Sequence, residues 1–125
     1  MTTLGQGRFF FDTNAALYLM GNALAEGLPI GSYHISVISE IELLSYPNLS
    51  TKEEATIRDF LSNIETIGLR SDVTETAIAF RRQHRMKLPD AIIAASASVL
   101  DAVLLTNDSA LLKLPDIRAM ALKLR

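Results

Sequence analysis

Apolar positions along the chain alternate between short continuous runs and longer stretches with helical spacing. The short runs predict β-strands at residues 8–12, 33–36, 65–69, 102–106 and 117–121. The longer stretches predict helices, because their apolar residues recur at intervals of three and four positions. Strands that alternate with helices are typical of a parallel sheet covered by helices, so we expect an α/β fold.

Capping residues and helix breakers predict where the helices begin and end. The first helix is expected to end near Gly21, and Pro47 stops the second. The residues expected to begin the first, third, fourth and fifth helices are, in chain order, Thr13 or Asn14, Ser50 or Thr51, Ser71 or Asp72, and Pro89. Neither a repeat nor a linker interrupts this pattern, and we expect residues 1–125 to form a single domain.

The composition is that of an ordinary globular domain. Of the 125 residues, 49% are hydrophobic and 21% are charged, and the absence of cysteine excludes disulfides and thiolate metal ligands. Every apolar run is shorter than the ~20 residues that a membrane span needs, so we expect a cytoplasmic protein without a membrane partner. The net charge of −2 provides no general attraction for nucleic acids.

The first predicted strand ends in a carboxylate, within the stretch "RFFFDTNAAL". Three consecutive phenylalanines indicate a strand that is buried on both faces, and Asp12 follows them directly. An ionised side chain in such surroundings costs several kcal/mol unless it is paired. Asp12 therefore requires a cationic partner, a proton or a metal ion, although an aspartate there could also cap the first helix.

Three further acids are predicted to lie at the same end of the sheet as Asp12. Glu42 lies on the helix after strand two, Asp90 lies in the first turn of the fifth helix, and Asp108 ends strand four. In open parallel sheets, sites form at the carboxyl ends of the strands, where the strand order reverses. Each acid taken alone has a structural interpretation as a cap or a solvated side chain, but their coincidence predicts one cluster.

Such a cluster of carboxylates predicts a metal site. Two carboxylates 5 Å apart repel by roughly 3 kcal/mol at an effective dielectric constant near 20. An all-oxygen set of ligands suits hard cations, above all Mg²⁺ with Mn²⁺ as a substitute. Because Mg²⁺ usually shares its coordination shell with a phosphate, we expect a phosphodiester substrate.

Four sequence blocks in order, "FFFDTN", "ISVISEIELL", "KLPDAIIAASA" and "VLLTND", resemble the PIN-domain ribonucleases. The resemblance covers nearly the whole chain and is strongest to the VapC-type toxins of bacterial type II toxin–antitoxin systems. It implies a three-layer α/β/α domain with a central parallel sheet of about five strands. It also implies an endoribonuclease that cleaves RNA with Mg²⁺ or Mn²⁺ and leaves a 5′-phosphate and a 3′-hydroxyl.

The resemblance assigns roles to individual residues. The residues that resemble the family's catalytic and metal-binding acids are Asp12, Glu42, Asp90 and Asp108. Those that resemble its supporting polar residues are Thr13, Asn14, Thr106 and Asn107. Ser39 lies one helical turn before Glu42 and is expected to support it. A cognate antitoxin and a homodimer are further implications of the family.

Two positions depart from the family pattern. Glu40 stands where relatives usually have an apolar or small residue, and on a helix it points about 200° away from Glu42, so only one of them can face the site. We choose Glu42, because Leu43 follows it as in the family. Relatives often carry an acid and a phenylalanine where this chain has Ala110 and Leu111, so substrate contacts there are expected to differ.

The stretch "RRQHRMK" is the concentrated basic segment of the chain and leads into the helix that carries Asp90. Four of its cations are candidates for contacts with RNA phosphates: Arg81, Arg82, Arg85 and Lys87. The alternative is a helix C-terminus with cations that interact favourably with the helix dipole.

Other classes of protein fit less well. An aspartyl-nucleophile phosphatase requires a second aspartate where this chain has Asn14. Nucleotide-binding glycine motifs do not follow the first strand. A PIN-like module that binds RNA or protein without cleavage remains the alternative from outside enzymology.

Overall fold

The computed structural model describes residues 7–125, and its centre is a five-stranded sheet in which all strands are parallel. The strands are β1 (Gly7–Phe11), β2 (Gly31–Ser36), β3 (Glu65–Ile67), β4 (Val103–Leu105) and β5 (Arg118–Met120). They confirm the predicted strands within about two residues at each end. The order across the sheet is β3-β2-β1-β4-β5.

Helices cover both faces of the sheet. They are α1 (Thr13–Met20), α2 (Val37–Leu44), α3 (Thr51–Ser62), α4 (Ser71–His84), α5 (Leu88–Val99) and α6 (Ser109–Leu112). The first three contribute to one core cluster, and the last three contribute to the other. This arrangement confirms the three-layer α/β/α class with a central parallel sheet. In the part of the chain from residue 7 onwards, no helix is long and apolar enough to span a bilayer.

Strand β1 is the centre of both cores. Phe10 packs into the cluster with α4 and α5, whereas Phe11 packs into the cluster with α1, α2 and α3. Both side chains are essentially inaccessible to solvent, and Phe9 stacks on Tyr33 of β2 at 5.3 Å between ring centroids. The aromatic run was correctly predicted to be buried on both faces, and this burial fixes the end of the strand where Asp12 begins.

The helix caps differ from the prediction at two sites. α1 is capped by Asp12, the alternative that the sequence left open, rather than by Thr13 or Asn14, because the strand ends one residue earlier than expected and the Asp12 carboxylate reaches the amide of Ala15. α4 follows Arg70, which makes no side-chain cap. Its predicted caps lie inside the first turn, and one of them, Asp72, forms an ion pair with Arg70 instead.

The start of α3 confirms its predicted cap. Ser50 is the N-cap, its hydroxyl accepts from the amide of Glu53 at 3.0 Å, and the Glu53 carboxylate accepts from the amide of Ser50 at 2.9 Å. This reciprocal capping box satisfies two amides that the helix itself cannot pair. It also fixes the chain that leads from α2 into α3.

The strand order reverses between β1 and β4. From β1 the chain moves outward through β2 and β3, and it then returns to the other side of β1 to form β4 and β5. A crevice forms at such a reversal, outside the carboxyl ends of the two central strands. Asp12 follows β1 and Asp108 follows β4, so both acids lie at this crevice.

Gly31 provides a test of the spacing between β1 and β2. A Cβ atom at Gly31 would lie 2.3 Å from the carbonyl oxygen of Gly7 and 2.7 Å from the ring of Phe9. We expect Gly31→Ala to lower the free energy of unfolding by about 1–3 kcal/mol, as overpacking does. Urea denaturation measures this loss. Gly27→Ala is the matched control, because nothing lies within 4 Å of its Cβ position; an equal effect of the two variants would contradict the explanation.

Candidate metal centre

A cavity of about 380 Å³ lies at the carboxyl ends of β1 and β4 and contains all four predicted acids. We call it the acidic cavity. Its lining residues are Asp12, Thr13, Asn14, Glu42, Ser45, Tyr46, Asp90, Ile93, Asp108 and Leu111. The structure therefore brings together the four carboxylates that lie far apart in the sequence, together with two of the predicted supporting residues.

Asp12 is the most buried of the four acids, with 7% of its surface exposed. One carboxylate oxygen accepts from the amide of Ala15 at 2.6 Å, and the other accepts from the hydroxyl of Thr106. Thr106 is fully buried directly after β4, and its contact with Asp12 is compatible with the supporting role predicted from the sequence. These two bonds hold the carboxylate between α1 and β4.

The environment of Asp12 opposes its ionisation. Burial raises the pKa of this carboxyl above its ordinary value, and the negative charges of Asp108 and Glu42 raise it further. The hydrogen bonds that Asp12 accepts act in the opposite direction without cancelling the effect of burial. The fold thus holds an acid that would be stabilised by a cation.

Asp108 combines a structural role with a place in the cavity. Its Oδ1 accepts from the amides of Ala110 and Leu111, at 2.9 and 3.1 Å, and thereby caps α6. Its own amide donates to the Thr106 hydroxyl at 3.0 Å. The capping interpretation of Asp108 is therefore correct, but it occupies only one carboxylate oxygen.

Asp90 lies in the first turn of α5 and is half-buried in the wall of the cavity. Burial raises its pKa, and the charge of Asp108 raises it further, whereas the nearby Lys87 lowers it. The shift has the same direction as that of Asp12. Two acids of the cavity therefore resist ionisation for the same physical reasons.

A chain of hydroxyl groups holds Glu42. The Thr13 hydroxyl donates to Glu42 Oε1 at 2.6 Å and lies 2.7 Å from the hydroxyl of buried Ser39. Because the single proton of Thr13 is directed at the carboxylate, Ser39 must be the donor to Thr13. Ser39 thus supports Glu42 through Thr13, and not directly. Glu40 is not among the lining residues of the cavity.

The acids of the cavity lack cationic partners. Within residues 7–125, none of the four takes part in an ion pair, whereas six acids elsewhere pair with arginine, lysine or histidine. A set of four carboxylates with a neighbouring hydroxyl matches the oxygen ligands that Mg²⁺ and Mn²⁺ prefer. The chemistry of the donors therefore fits a divalent metal ion.

The carboxylates are not gathered into a formed binding cluster. In the described part of the chain, no three acidic or histidine side chains converge closely enough to hold a metal ion as they stand. Mutual repulsion, about 3 kcal/mol for a pair 5 Å apart, favours this separation when no cation is present. Binding would require the side chains to move toward one another within the cavity.

Some predicted residues lie outside the cavity. Asn107 forms two hydrogen bonds with the backbone of Leu122, at 3.0 and 2.6 Å, and thus fixes the C-terminal segment. Arg81 donates to the carbonyl of Met86 at 3.2 Å, and Arg82 is exposed on α4. None of these three side chains is among the lining residues of the acidic cavity.

A second cavity, of about 480 Å³, adjoins the acidic cavity and shares Asp90, Asp108 and Leu111 with it. We call it the basic cavity, because Arg85, Lys87 and Lys113 are among its lining residues. Two of the four predicted cations therefore lie beside the acids. Arg85 ends α4 with the left-handed φ of 54°, which turns the chain toward Lys87 and α5.

Sequence reasoning missed several lining residues. Ser45 and Tyr46 follow the last turn of α2, Ile93 lies on α5 one turn after Asp90, and Lys113 follows α6. Ile93 could have been found from its helical spacing to Asp90. The other three stand outside any periodic pattern, and only the placement of their helices brings them to the cavities.

The sequence profile of a known family, described as the PIN domain, matches residues 9–117. The chain belongs to the PIN domain family. The matched segment includes all four acids of the cavity, and the match confirms the family that the four sequence blocks indicated. This family includes the nucleases of toxin–antitoxin systems. No curated protein matches this PIN domain.

Solved structures share the fold of this PIN domain. A chain of a toxin–antitoxin complex from Klebsiella pneumoniae is 28% identical, with a TM-score of 0.70, and the match covers 86% of this chain and 93% of that one. A DNA-bound VapBC complex from Salmonella typhimurium gives a TM-score of 0.76 at 19% identity, with 93% and 98% covered. VapBC2 from Rickettsia felis, bound to a promoter DNA fragment, gives 0.75 at 19% identity, with 93% and 99% covered.

The raised pKa of Asp12 predicts that the metal-free PIN domain is stabilised by Asp12→Asn. The pKa of Asp12 is higher in the folded protein than in the unfolded chain, where it is about 3.8. Ionisation of Asp12 therefore begins to oppose folding as the pH rises above 3.8, and it opposes folding fully once the pH exceeds the pKa of the folded state. At pH 7 with EDTA, we expect the variant to melt about 3 °C or more above wild type, which corresponds to ~1 kcal/mol. Circular dichroism melts from pH 3 to 8 measure the difference, which should vanish at the acid end.

If the acids bind Mn²⁺, we expect the same comparison with Mn²⁺ to reverse the order, because wild type then gains more stability from metal binding than the variant does. Ser45→Ala is a suitable control in the same cavity, since it removes no charge. A variant that melts below wild type at pH 7 in EDTA would show that the Asp12 carboxylate stabilises the fold.

Proposed function

We propose that this PIN domain is a metal-dependent endoribonuclease that hydrolyses RNA phosphodiester bonds and serves as the toxin of a type II toxin–antitoxin pair. One observation carries the proposal: four carboxylates without cationic partners line a single cavity at the reversal of the strand order. Family membership supports the nuclease chemistry. The substrate, the metal and the role as a toxin are parts of the proposal.

The residues proposed to hold the ion are Asp12, Glu42, Asp90 and Asp108, with Mg²⁺ as the natural cation and Mn²⁺ as its substitute. A divalent cation bound there would lower the pKa of a coordinated water and offset the charge of the phosphate. Thr106 donates to the Asp12 carboxylate and Thr13 donates to that of Glu42, so each of these two acids is oriented by a hydroxyl group. No side-chain nucleophile is required, and the cavity offers none beyond the hydroxyls of Thr13, Ser45 and Tyr46.

The basic cavity suggests how RNA approaches the acids. Phosphates are repelled by the acidic cavity unless cations lie beside it, and Arg85, Lys87 and Lys113 line the adjoining space. We propose that these side chains contact the RNA backbone on the Asp90 and Asp108 side of the site. Such contacts would position the strand without reading its sequence.

We further propose a cognate antitoxin as the protein partner. The Klebsiella pneumoniae structure, the most identical of the three described above, is a toxin–antitoxin complex, which supports this assignment. The proposal also includes a homodimer, residence in the cytoplasm, and a single PIN domain over residues 1–125. An antitoxin would need to occupy or cover the acidic cavity in order to suppress cleavage.

A PIN module that binds RNA or protein without cleavage is the second candidate. It is favoured by one observation, namely that the acids of residues 7–125 do not form a ready metal-binding cluster. Cleavage requires that a cation draws these side chains together, whereas binding alone does not. Metal affinity therefore distinguishes the two candidates.

Removal of single acids should weaken metal binding. We expect isothermal titration calorimetry to show saturable Mn²⁺ binding to the wild-type protein without antitoxin, and about tenfold or greater weakening in Asp12→Asn and in Asp90→Asn. Glu42→Gln should weaken binding as well. Glu40→Gln is the matched control, because it removes the same charge two residues away, outside the cavity.

Circular dichroism first establishes that each variant is folded. If wild type and all variants bind Mn²⁺ equally, or none binds it, the metal-nuclease proposal fails and the non-cleaving module becomes the better assignment. If binding follows the expected order, degradation of total RNA with Mn²⁺ that stops in Asp12→Asn tests the reaction itself.

Neutralisation of the basic cavity should weaken RNA binding without removing the fold. We expect the double variant Arg85→Gln, Lys87→Gln to bind single-stranded RNA about tenfold more weakly and to reduce the slope of log affinity against log salt by about one to two. Fluorescence anisotropy with labelled RNA in EDTA measures both quantities while cleavage is prevented. Arg82→Gln is the control, since that side chain lies outside the basic cavity; an equal loss would contradict the proposed path.

A further inference from the structure

Tyr46 is an exposed aromatic residue in the wall of the acidic cavity. It lies directly after the cap of α2 at Ser45, and 44% of its surface is accessible to solvent. Its hydroxyl makes no hydrogen bond to any residue between 7 and 125. The ring is therefore available to a molecule that enters the cavity.

Several other aromatic side chains are used in packing. Tyr33 stacks on Phe9 and Phe11, at 5.3 and 5.4 Å between centroids, and Phe60 packs edge-on against Phe11. Tyr46 is not part of these pairs. A single exposed aromatic residue is common on protein surfaces, so its position beside the acids is what gives it significance.

A third cavity, of about 460 Å³, adjoins the acidic cavity on the side of Tyr46, which lines both. We call it the apolar cavity. Its lining residues include Leu17, Met20, Pro47, Leu49 and Lys52. The volume falls within the range of about 300–1,000 Å³ that is usual for sites of small organic groups. Its aliphatic side chains suit the face of a planar ring, and the rest of its wall includes polar side chains, with Lys52 as a cation beside Glu53.

The three cavities adjoin one another in a defined order. The basic cavity shares Asp90, Asp108 and Leu111 with the acidic cavity, whereas the apolar cavity shares Tyr46 with it. The two outer cavities thus adjoin different walls of the acidic one. An RNA strand whose phosphates contact the cations of the basic cavity, and which then passes the four acids, would reach Tyr46 next.

The acidic cavity repels the backbone of RNA, and Lys52 is the cation among the lining residues on the Tyr46 side, so a part of the nucleotide that carries no charge can supply further attraction there. Nucleobases supply this attraction, because single-stranded RNA is commonly bound by stacking of its bases on aromatic side chains. Stacking does not require a basic surface and is tolerant of sequence.

We propose that Tyr46 stacks on a base of single-stranded RNA next to the phosphate at the acids, and that the apolar cavity receives this base. The inference rests on the proposed function, since it assumes that RNA occupies the acidic cavity. Tyr46 acts in it as a positioning residue that holds the strand, while the acids remain the site of the chemistry.

Fluorine NMR tests the stacking directly. The chain contains three tyrosines and no tryptophan, so incorporation of 3-fluorotyrosine gives three signals, and the Tyr46 signal is the one that Tyr46→Leu removes. Adenosine 5′-monophosphate is the probe, in the presence of Mg²⁺, and ribose 5-phosphate is the matched probe without a base. Tyr33, packed between Phe9 and Phe11, provides an internal control.

We expect a saturable shift of the Tyr46 signal with adenosine 5′-monophosphate and none with ribose 5-phosphate. Tyr46→Leu should weaken the affinity for the nucleotide about fivefold or more, and Tyr46→Phe should keep it, because stacking requires the ring alone. Equal shifts with both probes, or no shift at Tyr46, would overturn the inference.

Kinetics separates this inference from the proposed function. If the protein cleaves RNA, Tyr46→Leu should raise KM about fivefold or more with kcat within about twofold of wild type, and Tyr46→Phe should leave both unchanged. An unchanged KM in Tyr46→Leu refutes the role of Tyr46 but leaves the nuclease in place. Loss of Mn²⁺ binding in the acidic variants is measured separately and does not involve Tyr46.

Discussion

The carboxylate of Asp12 links the three parts of the molecule on which the site depends. It follows β1, it caps α1 through the amide of Ala15, and it accepts from Thr106 at the end of β4. These contacts hold the carboxyl ends of the two central strands beside each other at the reversal of the strand order. Because both carboxylate oxygens have partners, the position of the side chain is set by the fold itself.

The two aspartates that cap helices also have side chains in the wall of the acidic cavity. A carboxylate at a helix N-terminus satisfies free amides and interacts favourably with the helix dipole. Asp12 and Asp108 both do this, and both also line the acidic cavity. Capping thus stabilises two of the four carboxylates at the cavity, although none of the four forms an ion pair among residues 7–125. A capping role therefore does not prevent these two carboxylates from also lining the cavity.

Much of the fold could be predicted from the sequence, because its signals are local. The run of phenylalanines before Asp12 can only be a buried strand, and the Ser50 and Glu53 pair marks the start of α3. The four acids could be placed at one end of the sheet, since Asp12 and Asp108 follow strands, Asp90 lies in the first turn of a helix, and Glu42 lies on the helix that follows β2. The caps of α1 and α4 could not be assigned from the sequence, because competing polar residues stand side by side and tertiary contacts decide between them.

The remaining parts of the site depend on contacts between residues distant in sequence. Asn107 bonds to Leu122, and exposed residues such as Tyr46 and Lys113 follow no periodic pattern that would reveal them.

The pairing of β1 with β4 also determines when the acidic cavity can exist during biosynthesis. Thr106 and Asp12 are 94 residues apart in sequence, and β1 has only β2 beside it until β4 is made. Contacts of such separation form late, because the intervening chain must first be closed into a loop. A nascent chain that ends before β4 has no complete acidic cavity. A ribosome that carries such a chain is therefore not exposed to the assembled site until synthesis of this domain is nearly finished.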